Sequence, residues 1–159
     1  PVGRDICVIV NWAGFNFSRE QPDAAGAYNR NYLYALNIDS NGDNGADNIV
    51  YWRFGQNAAG EWGVQVTGLP GSEGTISGAV EKRLSGGNST LAYAGHGAET
   101  FRLDAQGFLD TLATGQISFN NQRSLLNGLN VTYMALKFPT STVYNGTNNL
   151  AFWITSARK

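Results

Sequence analysis

Three consecutive stretches decide the fold: Tyr32-Leu33-Tyr34-Ala35-Leu36-Asn37-Ile38, then Asp39-Ser40-Asn41-Gly42-Asp43-Asn44-Gly45-Ala46-Asp47, then, after Asn48, Ile49-Val50-Tyr51-Trp52-Arg53-Phe54. Side chains alternate across a strand, so the first stretch lays Tyr32, Tyr34, Leu36 and Ile38 on one face. The third does the same with Val50, Trp52 and Phe54. The polar stretch between them is built from Asn, Asp and Gly, residues that favour turns by their own hydrogen bonding and tolerance of positive φ. A β-hairpin with a long acidic tip is predicted.

Working outward, Trp62 to Val66 alternates and predicts the next strand. Leu129 to Phe138 (Val131, Tyr133 and Ala135 against Thr132, Met134 and Leu136) and Leu150 to Thr155 predict two more. Cys7 to Asn11 is a continuous apolar run, read as a strand buried on both faces with Cys7 as a small buried hydrophobe. Helical spacing occurs at Phe108, Leu109 and Leu112, with Asp104 placed as N-cap and Gly115 beyond the end. Ala13 to Asn31 and Gly68 to Gly87 read as long loops. One short helix among six or more strands predicts an all-β fold, an antiparallel β-sandwich or open sheet, with residues 1–159 as a single domain.

Charged residues make up only 14% of the 159, against roughly 25% in a typical soluble domain. Gly is abundant at 20, and net charge is −1, which supplies no basic field for nucleic acid or an anionic membrane. No apolar run approaches the ~20 residues of a membrane span. This uncharged polar texture fits an extracellular β protein.

The acidic stretch has the chemistry of a calcium loop. Calcium takes six to eight hard oxygen ligands, and Asp39, Asn41 and Asp43 sit at loop positions that converge when the backbone curls. Gly45 would add its carbonyl and Asp47 a further carboxylate, with Asn44 and Gly45 allowing the positive φ of a tight curl. Val50 stands where an EF-hand needs a bidentate Glu, and the flanks are strands, so the EF-hand is rejected. Three carboxylates within nine residues would repel one another unless something neutralised them. A structural calcium ion is therefore expected, in the weak extracellular affinity range of about 10⁻⁴–10⁻³ M.

The hairpin, from Tyr32 through Asp43 and on from Asp47 to Phe54, resembles the core of the bacterial family called domain of unknown function 4331. Further segments follow in the family's order: Ala94-Gly95-His96 through Phe101 and Asp104, Asn130 to Pro139, and Trp153-Ile154-Thr155-Ser156 with Arg158. The resemblance implies a secreted, periplasmic or cell-surface β protein of a bacterium, without an assigned activity. It also implies a shortened or partial version of the family domain. Gly97, Ala98, Glu99 and Thr100 depart from the family's pattern, which puts its acidic pair in doubt here.

For catalysis the residues offer little. His96 is the sole histidine, read as a loop residue, and no nucleophile elbow occurs. Paired carboxylates for glycoside hydrolysis would have to come from Glu61, Glu73, Glu99, Asp104 and Asp110. Aromatics, at 12%, suit binding better. Trp52 and Trp153 are expected in the core, and Trp12, Phe15 and Phe17 as exposed partner contacts. The expectation is a non-catalytic, calcium-stabilised extracellular module that binds another protein or joins a larger cell-surface assembly. A carbohydrate-binding module is the alternative, and a glycoside hydrolase-like enzyme with paired carboxylates the second alternative.

Overall fold

The acidic hairpin forms as the alternation predicts: β2 (Tyr32–Asp39) and β3 (Asn48–Gln56) pair antiparallel from Leu33 opposite Arg53 to Ile38 opposite Asn48. The computed structural model of the protein describes residues 4–16, 28–99, 101–127, 129–146 and 149–158. Around the hairpin, β4 (Trp62–Thr67) and β5 (Ile76–Ala79) extend one side and β9 (Ala151–Arg158) the other. The result is an antiparallel five-stranded sheet in the order β5-β4-β3-β2-β9. A second, four-stranded sheet has the order β1-β8-β7-β6. Its strands are β1 (Asp5–Asn16), β6 (Leu84–Gly87), β7 (Thr90–Ala98) and β8 (Asn130–Pro139). The helix α1 spans Ala105–Thr114, and a short 3-10 turn follows β8 at Thr140–Thr142. The protein is mostly antiparallel β with one α-helix among the described residues.

Register explains the core of the larger sheet. Leu36 faces Val50, Trp52 faces Val66, Phe54 faces Val64, and Val66 faces Ile76, so one apolar face is continuous across four strands. Leu36, Ile38, Val50, Trp52 and Val66 are fully buried. Tyr34 stacks on Trp52 with ring centroids 5.6 Å apart. In β8 the buried face is Thr132, Met134, Leu136 and Phe138.

The described residues fall into two compact units: the first takes them from 4–11, 28–95 and 133–158, the second from 12–16 and 96–132. Within the first, a Cβ at Gly78 would collide with Leu84 and one at Gly86 with Ile76 and Thr90, so glycine lets β5 and β6 approach closely. Glu81, at φ +59°, holds its carboxylate between two tyrosine hydroxyls, 3.2 Å from Tyr28 and 2.7 Å from Tyr93. Burial first, then the Glu81 carboxylate, pushes both tyrosines above the ordinary phenol range, so they stay hydrogen-bond donors.

Several expectations are corrected. Cys7 is exposed and Ile9 is 52% exposed, whereas Ile6, Val8 and Val10 are half-buried, so β1 turns only one of its faces inward. The stretch Gly68 to Gly87 is not a loop throughout, since it contains β5 and β6. The backbone of residues 13–16 continues β1 before the described residues break off. His96 lies in strand β7, buried, and Trp153 is only half-buried on the edge strand β9.

Candidate functional site

The hairpin tip is organised by its own side chains. Asp39 ends β2 only 1% exposed, and its carboxylate accepts the backbone N–H groups of Asn41 (3.0 Å), Gly42 (2.6 Å) and Asn44 (2.9 Å). The pattern repeats up the loop: Asn41 Oδ1 accepts Asp43 N–H at 2.8 Å, and Asp43 Oδ1 accepts Gly45 N–H at 2.7 Å. Asp47 closes it, taking Ser40 N–H and Oγ–H on one oxygen and the Asn41 side-chain amide on the other. Its own N–H donates to the Ile38 carbonyl at 2.9 Å. The positive φ angles fall at Gly42 (83°) and Asn44 (66°), whereas Gly45, expected to share that role, has none. The Gly42 N–H in the first place, opposed by desolvation and helped by the other loop N–H groups, holds the Asp39 carboxyl below the usual range.

By chemistry these oxygens suit calcium, and Asp39, Asn41 and Asp43 lie on three successive side-chain-to-backbone turns. Their present arrangement is not a cage. Five of the six oxygens of Asp39, Asp43 and Asp47 already accept hydrogen bonds from the loop. Among the described residues no three His, Cys, Asp or Glu side chains are grouped to hold an ion. The expected repulsion is thus relieved in part by N–H groups.

The outward face of the five-stranded sheet carries an open trough that sequence reading missed. Side chains opposite in parity to the core line up across strands: Leu33 beside Arg53, Arg53 beside Gln65, Gln65 beside Ser77. The next outward row is Gly55, Gly63 and Ala79, which leaves a floor almost without side chains. The trough measures about 880 Å³ and reaches past the outward face at the ends of the strands, where Arg30, Asn57, Glu61 and the core-parity residues Gln56 and Trp62 also line it. Gln56 Oε1 accepts a bond from Arg30 at 2.5 Å, and Gln65 Oε1 accepts one from Arg53 Nε at 2.8 Å. A smaller depression of about 280 Å³ shares Arg53 and Gln65 and is walled by Leu33, Tyr51 and Thr67.

In the second unit, Asp104 is the N-cap of α1 as predicted, and Gly115 ends the helix at φ 70°. One Asp104 oxygen accepts Gly107 N–H at 3.0 Å; the other accepts Asn120 N–H at 2.7 Å and Arg123 at 3.1 Å. The Gly107 N–H above all, against some desolvation and with Asn120 and Arg123 assisting, depresses its carboxyl. Asp104 lines a depression with Arg123 and Phe119, but Glu99 does not; the Glu99 carboxylate accepts the Phe101 N–H at 2.8 Å. The predicted helical face of Phe108, Leu109 and Leu112 is exposed, Leu112 at 68%. Phe101, Ile117, Phe119 and Leu125 are exposed as well, Ile117 at 85%. Of the contact residues expected from sequence, Trp12 is half-buried in β1, Phe15 is placed only as a position of that strand, and Phe17 lies outside the described residues.

Compared with known proteins, the chain matches no family model, no curated protein and no solved structure. No helix among the described residues is long and apolar enough to cross a membrane.

Proposed function

We propose that this chain is a non-catalytic extracellular β module that binds another protein or takes its place in a larger surface assembly. The observation that carries the reading is the second unit. Seven of the thirteen exposed large hydrophobic side chains among the described residues fall between Phe101 and Leu125. Exposed apolar side chains concentrated in one short stretch mark interaction surfaces, whereas single ones need no explanation. The resemblance to the domain of unknown function 4331 family supports a secreted, periplasmic or cell-surface setting in a bacterium. Sedimentation velocity across a concentration series, together with affinity capture on a native surface extract, tests the reading. Leu109→Ser/Leu112→Ser should abolish any complex found with the wild type. A complex that survives the double substitution would place the contact elsewhere.

Calcium belongs to the same proposal as a clasp on the hairpin. Asp104 has Arg123 as a counter-charge, but Asp39, Asp43 and Asp47 have no ion pair among the described residues. The loop itself contains no Lys or Arg. Asp39, Asn41, Asp43, the Gly45 carbonyl and Asp47 would hold the ion. The bond from the Asn41 amide to Asp47 would have to be exchanged for it, which keeps the affinity weak. The ion would supply charge neutralisation and fix the register of β2 on β3. Thermal unfolding in calcium against EGTA is the test, and equal midpoints would remove calcium from the proposal.

A further inference from the structure

The outward trough on the five-stranded sheet is independent of the second unit, since every residue that lines it belongs to the first. Its chemistry is selective. Arg30 and Arg53 have no ion pair among the described residues, and each is tethered by a glutamine side-chain carbonyl at 2.5 Å and 2.8 Å. A glutamine orders a guanidinium without cancelling its charge. The one carboxylate in the trough, Glu61, is turned to the Asn57 amide at 2.7 Å. A chain of net charge −1 therefore carries a local positive site with planar donors already oriented.

Shape narrows the ligand further. The two depressions are neighbours along the sheet, with the hydrogen-bonded Arg53–Gln65 pair standing between them. At one end the wall is the half-exposed ring of Tyr51; in the middle stands the Arg53-Gln65-Ser77 ladder. Beyond it the floor opens at Gly55, where an added Cβ would touch nothing within 4 Å. An aromatic wall offers a face for the C–H side of a sugar ring. Planar amides suit hydroxyls, and guanidinium forks suit carboxylates. A flat floor admits a ring lying along the sheet.

We propose that this trough binds an acidic sugar chain, with Arg53 and Arg30 receiving carboxylates of the uronic type and Tyr51 packing against a ring. An acidic peptide would satisfy the arginines but has no use for the flat floor beside the aromatic wall.

The test is calorimetric titration of the whole chain with oligogalacturonate, in EGTA so that calcium cannot bridge ligand and protein. Neutral xylo-oligosaccharide and poly-glutamate serve as comparison ligands. Binding of oligogalacturonate alone, weakened by salt, is expected. Arg53→Gln should reduce affinity roughly tenfold or more, as expected for loss of a charge-assisted fork. Gly55→Leu should block the trough while keeping the fold, because its side chain would project into open space. Arg30→Gln should weaken binding as well. Failure of the wild type to bind oligogalacturonate overturns the proposal, as does binding that neither Arg53→Gln nor Gly55→Leu alters. Equal binding of poly-glutamate overturns the sugar assignment. The wild-type and variant circular dichroism spectra and melting curves must coincide for each comparison to count.

Discussion

The inner face of the five-stranded sheet and the face of α1 are written in the same amino acids and end in opposite environments. Leu36, Ile38 and Trp52 are wholly covered, while Leu109 and Leu112 stand out in water. In the sheet, each apolar side chain has cross-strand neighbours of the same parity on at least one side, Leu36 beside Val50 and Ile154 for example. In α1 the only buried residue is Gly107, where a Cβ would strike Asp104 and the Ser118 carbonyl. The helix is held by caps and hydrogen bonds: Asp104 at one end, Gly115 at the other, Thr111 Oγ1 to the Gly107 carbonyl at 2.7 Å between them. One region is stabilised by apolar burial, the other by polar groups that leave its apolar side chains available.

That contrast can be broken by experiment. The largest effect is expected from Trp52→Ala, which empties a fully buried site and should cost about 3–5 kcal/mol in denaturant unfolding. A loss below about 1 kcal/mol would mean the sheet face is not the core. Next is the hairpin: if the ion binds in the expected range, 10 mM calcium should stabilise by about 1.4–2.7 kcal/mol, and Asp43→Ala should abolish the gain.

The helix should respond to pH instead of volume. Asp104 has a depressed carboxyl, so its stabilisation is complete above the ordinary aspartate value of about 3.9. It is lost as pH falls through the lower folded value. Protection of the α1 amides, measured against the intrinsic exchange rate at each pH, should therefore fall in acid, and Asp104→Asn should show the lower protection already at neutral pH with no further loss in acid. Smallest of all is Leu112→Ala, within about 0.5 kcal/mol for an exposed site. A cost of 2 kcal/mol there would show that Leu112 is covered in solution.

Sequence alone made the hairpin and the helix ends legible because their signals are local. Alternation at Tyr32 to Ile38, the Asn/Asp/Gly tip, and Asp104 with Gly115 all work within a few residues. β5, β6 and β7 escaped notice because small residues dominate them. Ser77, Gly78, Gly86 and the alanines of β7 have little strand preference of their own, and their conformation follows from close packing, as of Leu84 on Gly78. Cys7 and Ile9 misled for the opposite reason: an apolar run reads as doubly buried whether or not anything packs over the second face of its strand.

The trough was invisible for a third reason. It needs Arg53, Gln65 and Ser77 in one row and Arg30 tied to Gln56, which only register provides. Its one sequence trace was the polar parity of Arg53 and Gln65 opposite the apolar parity of their strands. The acidic loop was legible as composition, but composition did not show how many of its oxygens would be engaged by the loop's own N–H groups.

The pairing of β9 with β2 has a consequence for how the chain folds. Tyr32 lies opposite Arg158 and Asp39 opposite Ala151, so this junction joins segments more than a hundred residues apart along the chain. The β2-β3-β4 meander can form from neighbours, but β2 gains its second partner only after that long loop closes, a step slowed by the entropy of bringing distant segments together. Until then one edge of the sheet's most buried strand presents unpaired backbone groups to any extended chain it meets. Refolding yield should fall steeply with protein concentration, and docking of β9 should set the pace.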